Sequence, residues 1–491
     1  MEEGLRGTWW TALASSVPGR YLGSDGQEGP NKRLRSVRCD SLAAAKGGRS
    51  DILSERSLAR ARRGLRARIL SVSRTRAKAQ AVRIWFFSHY FPPEGNAPAS
   101  RVFESARRWA EAGHQVTVIT GPPSVPDGVI YAGFRNGFQR QSMAGIDVVR
   151  VRTYVAANRG ILRRSLNFIS YMVSASLRAL LLRRPDVIVA TTPQFFCGLA
   201  GVLVAKLCRR PLVLEVRDLW PASIVAVGAL REGRLLRVLE WVEHRMYAAA
   251  DHIVTVGDGY ADELRARAVS GKKISVITNG VDLELFSPRP PRPQLLARFG
   301  MRTPFVCAYV GTVGMGAGLG VLLDVAERLR ELGRDDIGIL VVGDGASRAQ
   351  LAAEACDRGL DRLVFAGRQP KSMMPDLLAS AGCSLVHLRR LPLFETVLPS
   401  KIFEAMAMAR PIILGVEGRA AELLERTGSG ICVTPEDPDS LATAMIRLAG
   451  DPALAQRLGA AGRVAALAEF DRLRLADRYL QVLSKICRYS G

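Results

Sequence analysis

The segment 396–418, TVLPSKIFEAMAMARPIILGVEG, combines a lysine and a glutamate in a pattern that suits the binding of a phosphorylated sugar compound. Ser400 is a good N-cap, and the following KIFEAMAMA predicts a helix that ends before Pro411. Lys401 and Glu404 then share one face of the first turn. Because a helix N-terminus gathers unpaired N–H groups, a lysine there suits a diphosphate, and the carboxylate can accept hydrogen bonds from sugar or ribose hydroxyls. The alternative is an exposed Lys–Glu pair on an ordinary helix.

Two glycine-containing loops follow predicted strands and precede predicted helices. The first, FSHYFPPEGNAPASR (87–101), contains Gly95, and the second, TVGMGAGLG (312–320), follows Gly311 and contains Gly314. Small residues let a diphosphate or a sugar approach the backbone at a helix N-terminus, and simple strand-to-helix turns are the alternative. The second loop matches neither G-x-G-x-x-G with an acidic partner nor G-x-x-x-x-G-K-[ST], so nicotinamide and P-loop nucleotide sites are disfavoured.

Two more polar residues are placed at the ends of predicted strands, where α/β proteins put functional side chains. Asp218, in EVRDLWPAS (215–223), could position an acceptor hydroxyl or orient a catalytic group, and a loop-bracing or N-cap role is the alternative. His89 follows the first predicted strand, and we expect it to line a ligand-binding cleft. We interpret the other four histidines as structural, and no spacing of His, Asp or Glu indicates a metal site.

These loops and strand ends belong to a regular alternation of predicted strands and helices. Short apolar runs such as FVCAYVG (305–311) predict buried strands of parallel sheets, and the proline-rich SPRPPRPQ (287–294) divides the alternation into two series. The predicted fold is α/β, with two tandem Rossmann-like domains that face a cleft. We predict an N-terminal domain over 82–287, a C-terminal domain over 288–465, and a last helix, 466–491, that returns to the N-terminal domain.

The composition indicates a globular protein with a strongly basic balance. The 491 residues are 48% hydrophobic, enough for two domain cores, and the formal net charge of +23 favours anionic partners. Residues 1–81 hold 17 Lys or Arg and 7 Asp or Glu, and we expect a disordered extension; a basic helix on an anionic surface is the alternative. None of the eight cysteines forms a C-x-x-C pair, which is typical of reduced thiols in a cytosolic protein. No apolar run is long enough to span a bilayer.

Several segments, taken in order, resemble those of family 4 glycosyltransferases, which are retaining, nucleotide-sugar-dependent enzymes with the two-domain GT-B fold. The segments are HYFPPE, GNAPASR, EVRDLWP, TNGVDLELF, VGDG, FAGRQP and SKIFEAMAMARPII. DLWP and LPLFETVLPSKIFEAMA are most similar to the subgroup that builds bacterial O-antigen and capsular polysaccharides, including N-acetyl-L-fucosamine transferases of the WbuB type.

The resemblance implies roles for individual residues. Glu404 matches the second glutamate of the family's E-x7-E motif, which binds the nucleotide ribose, and Lys401 would reach the diphosphate. The first glutamate of that motif is missing at its expected position, and we assign its role to the neighbouring Glu395. The glycine loop lacks the basic residue that many family members place there, so Arg368, Lys371 or Lys401 would supply that charge. We therefore predict catalytic roles for Asp218, Glu395 and His89, and donor-binding roles for Gly95, Gly311, Gly314, Arg368, Lys401 and Glu404.

The resemblance also implies a reaction. We expect a sugar, with a UDP-sugar as the favoured donor, to be moved to a polyprenyl-linked glycan acceptor in the cytoplasm or on the inner face of the plasma membrane, without a cofactor or a metal. The predicted helix 161–183 has apolar length and flanking arginines, so it either rests on the membrane surface or packs inside the protein. The alternatives are a GT-B-fold nucleotide-sugar epimerase and a non-catalytic basic protein that binds nucleic acid or membranes, although no RNA-binding signature is present.

Overall fold

The computed structural model of the chain describes residues 81–125, 128–156, 161–192, 194–222, 225 and 233–489. This part contains an eight-stranded sheet and a six-stranded sheet, each with helices packed against it. The predicted α/β fold with two Rossmann-like domains is therefore confirmed. The disordered extension expected over 1–81 lies outside the described residues, apart from Ala81.

The first sheet is formed by β1 (Arg83–Phe87), β2 (Gln115–Thr120), β3 (Gln139–Met143), β4 (Ile146–Arg150), β5 (Val187–Thr191), β6 (Leu212–Val216), β7 (His252–Thr255) and β8 (Ile274–Val276). Its strand order is β3-β4-β2-β1-β5-β6-β7-β8, and only the β3–β4 pair is antiparallel. Every residue of β5 and β6 is buried because helices cover both faces of the sheet, which explains why these strands are largely apolar in the sequence. The one charged residue in them, Glu215, is paired with Arg101.

The second sheet is formed by β9 (Phe305–Val310), β10 (Ile337–Val342), β11 (Leu363–Gly367), β12 (Cys383–His387), β13 (Ile412–Gly415) and β14 (Gly430–Cys432). All pairs are parallel, in the order β11-β10-β9-β12-β13-β14. The strand order reverses between β9 and β12, as it does between β1 and β5 in the first sheet. Ligands of such sheets bind beyond the carboxyl ends of the strands at this switch point.

The described residues form fourteen helices longer than one turn, of which the last three follow the last strand. In the N-terminal domain they are α1 (Ala97–Glu111), α2 (Ile161–Ala179), α3 (Phe195–Cys208), α4 (Arg234–Ala249) and α5 (Asp258–Ala266). The rest are α6 (Pro293–Ala297), α7 (Val321–Glu331), α8 (Arg348–Asp357), α9 (Met374–Ser380), α10 (Ser400–Ala407), α11 (Arg419–Thr427), α12 (Pro438–Gly450), α13 (Pro452–Glu469) and α14 (Arg472–Tyr489). None of these described helices combines the length and apolarity needed to cross a membrane.

The last helix, α14, packs against α1 on the first sheet. Arg108 on α1 makes two hydrogen bonds of 2.8 Å to the carboxylate of Asp477. Trp109 donates its indole N–H to the carbonyl of Ala476 at 2.9 Å, and its ring contacts that of Tyr479 edge to face. Because Tyr479 is fully buried in this core, α14 belongs structurally to the N-terminal domain.

One strand has no counterpart in the sequence prediction. β3 has the sequence QRQSM, and its side chains alternate between exposed and partly exposed positions at the edge of the sheet. It pairs with β4 through a tight turn in which Ala144 and Gly145 both have positive φ. An edge strand without an apolar face gives no hydrophobic pattern, so it cannot be distinguished from a loop in the sequence.

Candidate active site

A cleft of about 470 Å³ lies between the carboxyl ends of the two sheets and is lined by both domains. It contains seven of the nine predicted site residues: Gly95, Asp218, Gly311, Gly314, Arg368, Lys401 and Glu404. The domains also touch beside the cleft, where Arg419 forms an ion pair of 2.6 Å with Asp262. The predicted residues therefore come from distant segments and meet in one enclosed space.

Lys401 and Glu404 extend from the first turn of α10 into the C-terminal side of the cleft. The Lys401 ammonium lies 3.7 Å from the ring centroid of Tyr309, and burial lowers its pKa to about 7. Burial also raises the pKa of Glu404, against the opposing effect of Arg472 and other nearby cations. Both groups would regain their usual charge on contact with a ligand of opposite charge or with hydroxyl donors.

The N-terminus of α10 differs in detail from the prediction. The helix begins at Ser400 with Pro399 as its N-cap residue, and no side chain caps it. Ser400 is therefore the first helical residue and not the N-cap. Because both residues line the cleft, the first N–H groups of the helix are directed to a space where an anion could accept their hydrogen bonds.

The glycine loop after β9 is held in place by the end of β12. His387 is fully buried, its Nδ1 lies 2.8 Å from the carbonyl oxygen of Ala317, and its Nε2 accepts a hydrogen bond from the Glu436 N–H at 2.9 Å. This pairing requires the proton on Nδ1, and burial lowers the pKa of the ring, so His387 is a neutral structural residue as predicted.

Gly311 opens this loop beside Lys401. Its φ of +151° lies in a region that favours glycine, and a Cβ at this position would be 2.9 Å from the Lys401 ammonium nitrogen. A larger residue would therefore displace the lysine, so glycine is needed here for the lysine to reach the cleft.

Two further cations line the same wall. Arg368 follows β11 and makes no hydrogen bond or ion pair within the described residues. The ammonium of Lys371 lies 3.4 Å from the hydroxyl of Ser100, which belongs to α1 of the opposite domain. Together with Lys401 these residues supply the positive charge that the glycine loop itself lacks.

The opposite wall carries Asp218 at the end of β6, where it is buried. Arg101 on α1 forms an ion pair of 2.9 Å with buried Glu215 and donates to the carbonyls of Ile277 and Thr278. This bonding fixes α1 to the carboxyl ends of β6 and β8 at the edge of the cleft.

Arg217 lies on the same wall but, unlike Arg101, is not fully hydrogen-bonded. Its Nε and Nη1 atoms are buried without a hydrogen-bond partner among the described residues, and burial lowers its pKa to about 10. Nothing in the sequence distinguishes Arg217 from Asp218 as a site residue, because the lack of hydrogen-bond partners at Arg217 depends on neighbours from distant strands.

His89 does not line the cleft, contrary to the expectation. It lies behind the cleft wall, and its ring contacts Tyr90, Phe168 and Tyr171 edge to face at centroid distances of 4.9, 5.2 and 4.9 Å. Burial and the nearby Arg164 lower its pKa to about 3, so the ring is neutral at physiological pH. The prediction failed because the next residue, Tyr90, has the side chain that reaches the cleft.

Glu395 is also absent from the cleft wall. It lies in a short 3-10 turn, Pro392–Thr396, with its side chain exposed, whereas Phe394 and Val397 line the cleft. A role assigned by sequence spacing therefore falls on a residue that the turn directs away from the ligand space. Its catalytic role remains a prediction.

Three residues that line the cleft were not predicted as site residues from the sequence: Tyr309, Arg101 and Gln194. Tyr309 lies inside a strand that reads only as apolar, and Arg101 follows the first glycine loop, where a functional position was a reasonable guess. Within the described ranges, no three His, Cys, Asp or Glu side chains are grouped so that they could hold a metal ion.

Two Rossmann-like domains that face a ligand cleft define the GT-B class of fold. A family model for a glycosyl transferase 4-like domain matches residues 96–280, and a model for glycosyl transferases group 1 matches residues 304–451. Because these matches together span more than half of the chain, the protein belongs to the family 4 glycosyltransferases. It is therefore a glycosyltransferase enzyme, and this decides against the epimerase and against a non-catalytic binding protein.

Individual relatives are distant. The chain is 25% identical to the putative colanic acid biosynthesis glycosyl transferase WcaI of Escherichia coli, over 73% of this chain and 90% of that protein. It is 27% identical to the alpha-maltose-1-phosphate synthase of Mycolicibacterium smegmatis, over 60% of this chain and 77% of that protein. The structure of Anabaena HepE in complex with UDP and glucose matches with a TM-score of 0.62 and 19% identity, over 82% of this chain and 99% of that one.

Proposed function

We propose that the protein is a retaining, metal-independent glycosyltransferase that moves a sugar from a nucleotide sugar, preferably a UDP-sugar, to a polyprenyl-linked glycan in cell-surface polysaccharide synthesis. The observation that carries this proposal is the set of three cations on the C-terminal wall, Arg368, Lys371 and Lys401, which face the cleft without a carboxylate partner within 4 Å among the described residues. A nucleotide diphosphate supplies the matching negative charge.

The chain's own residues can support sugar transfer from such a donor. As the sugar–phosphate bond breaks, negative charge develops on the leaving diphosphate. Lys401, Arg368 and the uncapped N-terminus of α10 would stabilise this charge, which removes the need for a metal ion. Glu404 would accept hydrogen bonds from the ribose hydroxyls, and Asp218 would position the acceptor hydroxyl from the opposite wall. Retention of configuration is taken from the family.

The preference for uridine is supported by structural neighbours. Anabaena HepE was solved with UDP and glucose and with UDP-glucose, and the trehalose-6-phosphate protein of E. coli with UDP-2-fluoro glucose. Starch synthase IV of Arabidopsis thaliana was solved with ADP and acarbose, so the fold accepts other bases. The donor base is therefore one of the variables to test.

The acceptor class is supported by the relative named for colanic acid biosynthesis and by the resemblance to O-antigen enzymes. The name of another relative, the maltose-1-phosphate synthase, suggests a competing class of acceptor, a soluble sugar phosphate. We place the reaction on the cytoplasmic side of the membrane, which is supported by the seven free cysteines of the described residues.

The test is release of UDP or GDP from a panel of nucleotide sugars in the presence of EDTA, with and without a membrane lipid extract. The donor panel includes UDP-GlcNAc and UDP-N-acetyl-fucosamine. A soluble sugar phosphate is tested separately as a second acceptor. We expect lipid-dependent release of UDP by the wild type and loss of release in Lys401→Ala and Glu404→Ala.

Matched controls are Lys272→Ala and Glu425→Ala, which change the same residue types at exposed positions outside the cleft wall. They should leave release unchanged. Release that requires the sugar phosphate and not the lipid would contradict the acceptor, and release that EDTA abolishes would contradict metal independence.

A further inference from the structure

Three neighbouring helices of the N-terminal domain, α2, α3 and α4, expose an unusual number of large apolar side chains. They pack side by side on one face of the first sheet through buried residues such as Tyr171, Val204 and Met246. Eleven of the seventeen exposed large apolar side chains in the described residues lie on these helices or in the turn after α2. They are Leu166, Ile169, Val173, Leu177, Leu180, Leu181, Leu203, Leu207, Leu235, Val238 and Trp241. We refer to these residues and the exposed cations among them as the basic-apolar face.

The charges on this face are almost all positive. Within the described residues of these helices and the turns that follow them, the exposed charged residues are two acids, Glu240 and Asp251, and nine bases: Arg163, Arg183, Arg184, Lys206, Arg209, Arg210, Arg234, Arg237 and Arg245. The Asp251 carboxylate accepts a hydrogen bond from the Leu212 N–H. None of these nine cations forms an ion pair within the described residues, and Arg245 instead lies 5.2 Å from the ring centroid of Trp241. A solvated helix surface usually mixes both signs of charge, so the imbalance indicates an anionic partner.

The chain itself does not supply such a partner. Residues 1–81 carry an excess of ten positive charges, and a second copy of the same face would bring like charges together. The cations alternate with leucine, valine and tryptophan, which suit the interfacial region of a bilayer. Nucleic acid would favour planar or hydrogen-bonding side chains between the cations.

We propose that the basic-apolar face docks on the surface of an anionic lipid bilayer, with its leucines and Trp241 in the interfacial region and its arginines among the headgroups. The helix α2 connects this face to the cleft: Arg164 and Phe168 line the cleft, and Leu166 and Ile169 on the same turns belong to the face. Docking in this way brings the N-terminal side of the cleft to the bilayer, where a lipid-linked acceptor is held. This last step rests on the proposed function, whereas docking itself does not.

The test is flotation of the full chain with vesicles of pure phosphatidylcholine and with vesicles containing phosphatidylglycerol. One variant combines Leu177→Ser, Leu181→Ser and Trp241→Ser; another combines Arg183→Gln, Arg209→Gln and Arg237→Gln. We expect wild-type flotation only with anionic vesicles, weakening with salt. Each arginine removed should lower the partition coefficient about fivefold, and the apolar variant should lower it by at least about tenfold.

The controls change equal numbers of exposed residues in the C-terminal domain: Leu332→Ser, Val464→Ser and Leu467→Ser in one, and Arg298→Gln, Arg302→Gln and Arg457→Gln in the other. Both should float as the wild type does. Equal flotation of the face variants and the wild type would overturn the proposal, as would absence of wild-type flotation, or RNA binding that the face variants lose while vesicles are not bound. UDP binding, measured on every variant, reports separately on the cleft.

Discussion

The two walls of the cleft contain similar basic side chains but hold them differently. On the N-terminal wall, Arg101 is bonded to the Glu215 carboxylate and to backbone carbonyls, and Arg472 forms an ion pair of 2.7 Å with Glu104. On the C-terminal wall, Lys401 faces an aromatic ring and has no carboxylate partner within 4 Å in the described part of the chain. For these residues the difference lies in the counter-ions, and Arg217 is the exception on the N-terminal wall, since its Nε and Nη1 atoms have no hydrogen-bond partner among the described residues.

This contrast indicates that the cations of the N-terminal wall stabilise the fold and those of the C-terminal wall are available to bind an anion. Cations that already have partners gain little from a ligand, so Arg101 and Arg472 act chiefly as braces between α1, the strand ends and α14. A half-buried cation without a carboxylate partner is stabilised when an anion arrives, so under the proposed function the donor diphosphate would bind the cations of the C-terminal wall. The predictions below test this difference between the walls, in order of decreasing effect.

The largest effect is expected from Lys401→Met, which keeps most of the length of the unbranched side chain and removes its charge. Because a lost charge contact to the leaving group weakens transition-state stabilisation, kcat/KM should fall by about 100-fold or more. The measurement is steady-state nucleotide release, with thermal unfolding to show that the fold is intact. Arg101→Met is the comparison: it should lower the melting temperature, because it leaves buried Glu215 without its cation. The reverse pattern would contradict the difference between the walls.

The fold was largely predictable from the sequence for a physical reason. Parallel strands buried on both faces are mostly apolar, so β5, β6 and β10 stand out as largely apolar runs, with the ion-paired Glu215 as the one charged residue among them. β3 was missed because it lies at a sheet edge with no buried face. Prediction succeeded where burial determines the residue types and failed where it does not.

Seven of the nine predicted residues line the cleft, but contacts between site residues were predictable only where the residues are close in sequence. Lys401 and Glu404 share one helical turn, so their spacing alone indicates that they act together. Arg101 and Glu215 are 114 residues apart, and Lys371 and Ser100 are 271 apart, so their pairing depends on how the domains pack. His89 and Glu395 show the remaining error: a sequence position near the cleft does not determine which way the side chain points.

The next effect is a pH dependence of donor affinity. Lys401 must be protonated to pair with a diphosphate, and its pKa in the free enzyme is lowered to about 7. Because donor binding raises that pKa, the affinity for the donor is highest below about pH 7. Above that pH the affinity falls by up to about tenfold per pH unit. Titration calorimetry with a UDP-sugar between about pH 6 and pH 8.5 measures it. Lys401→Arg keeps its charge and should flatten the profile, and an equally steep profile in that variant would assign the titration to another group.

A smaller effect on the site is expected from His89→Ala. Because His89 is neutral and packed among three aromatic rings behind the wall, its loss should lower the free energy of unfolding by about 2–4 kcal/mol. The dissociation constant for UDP should stay within about twofold, since the cations of the opposite wall are untouched. Chemical denaturation and calorimetry measure the two quantities. Unchanged stability with loss of sugar transfer would instead support the catalytic role predicted from the sequence.

The smallest effect is expected from Glu395→Gln, compared with the same substitution at Glu404. Glu404 faces the cleft, so its substitution should weaken donor binding, whereas exposed Glu395 should tolerate the same substitution within about twofold.

The backbone of Glu395 is expected to matter more than its carboxylate. A Cβ at Gly418, whose φ is +69°, would lie 2.7 Å from the Glu395 Cα. Gly418→Ala should therefore displace the turn that carries Phe394 and Val397 into the cleft and weaken donor binding more than Glu395→Gln does. If Glu395→Gln has the larger effect, its carboxylate reaches the donor during turnover and the family's two-glutamate motif is functionally complete in this chain.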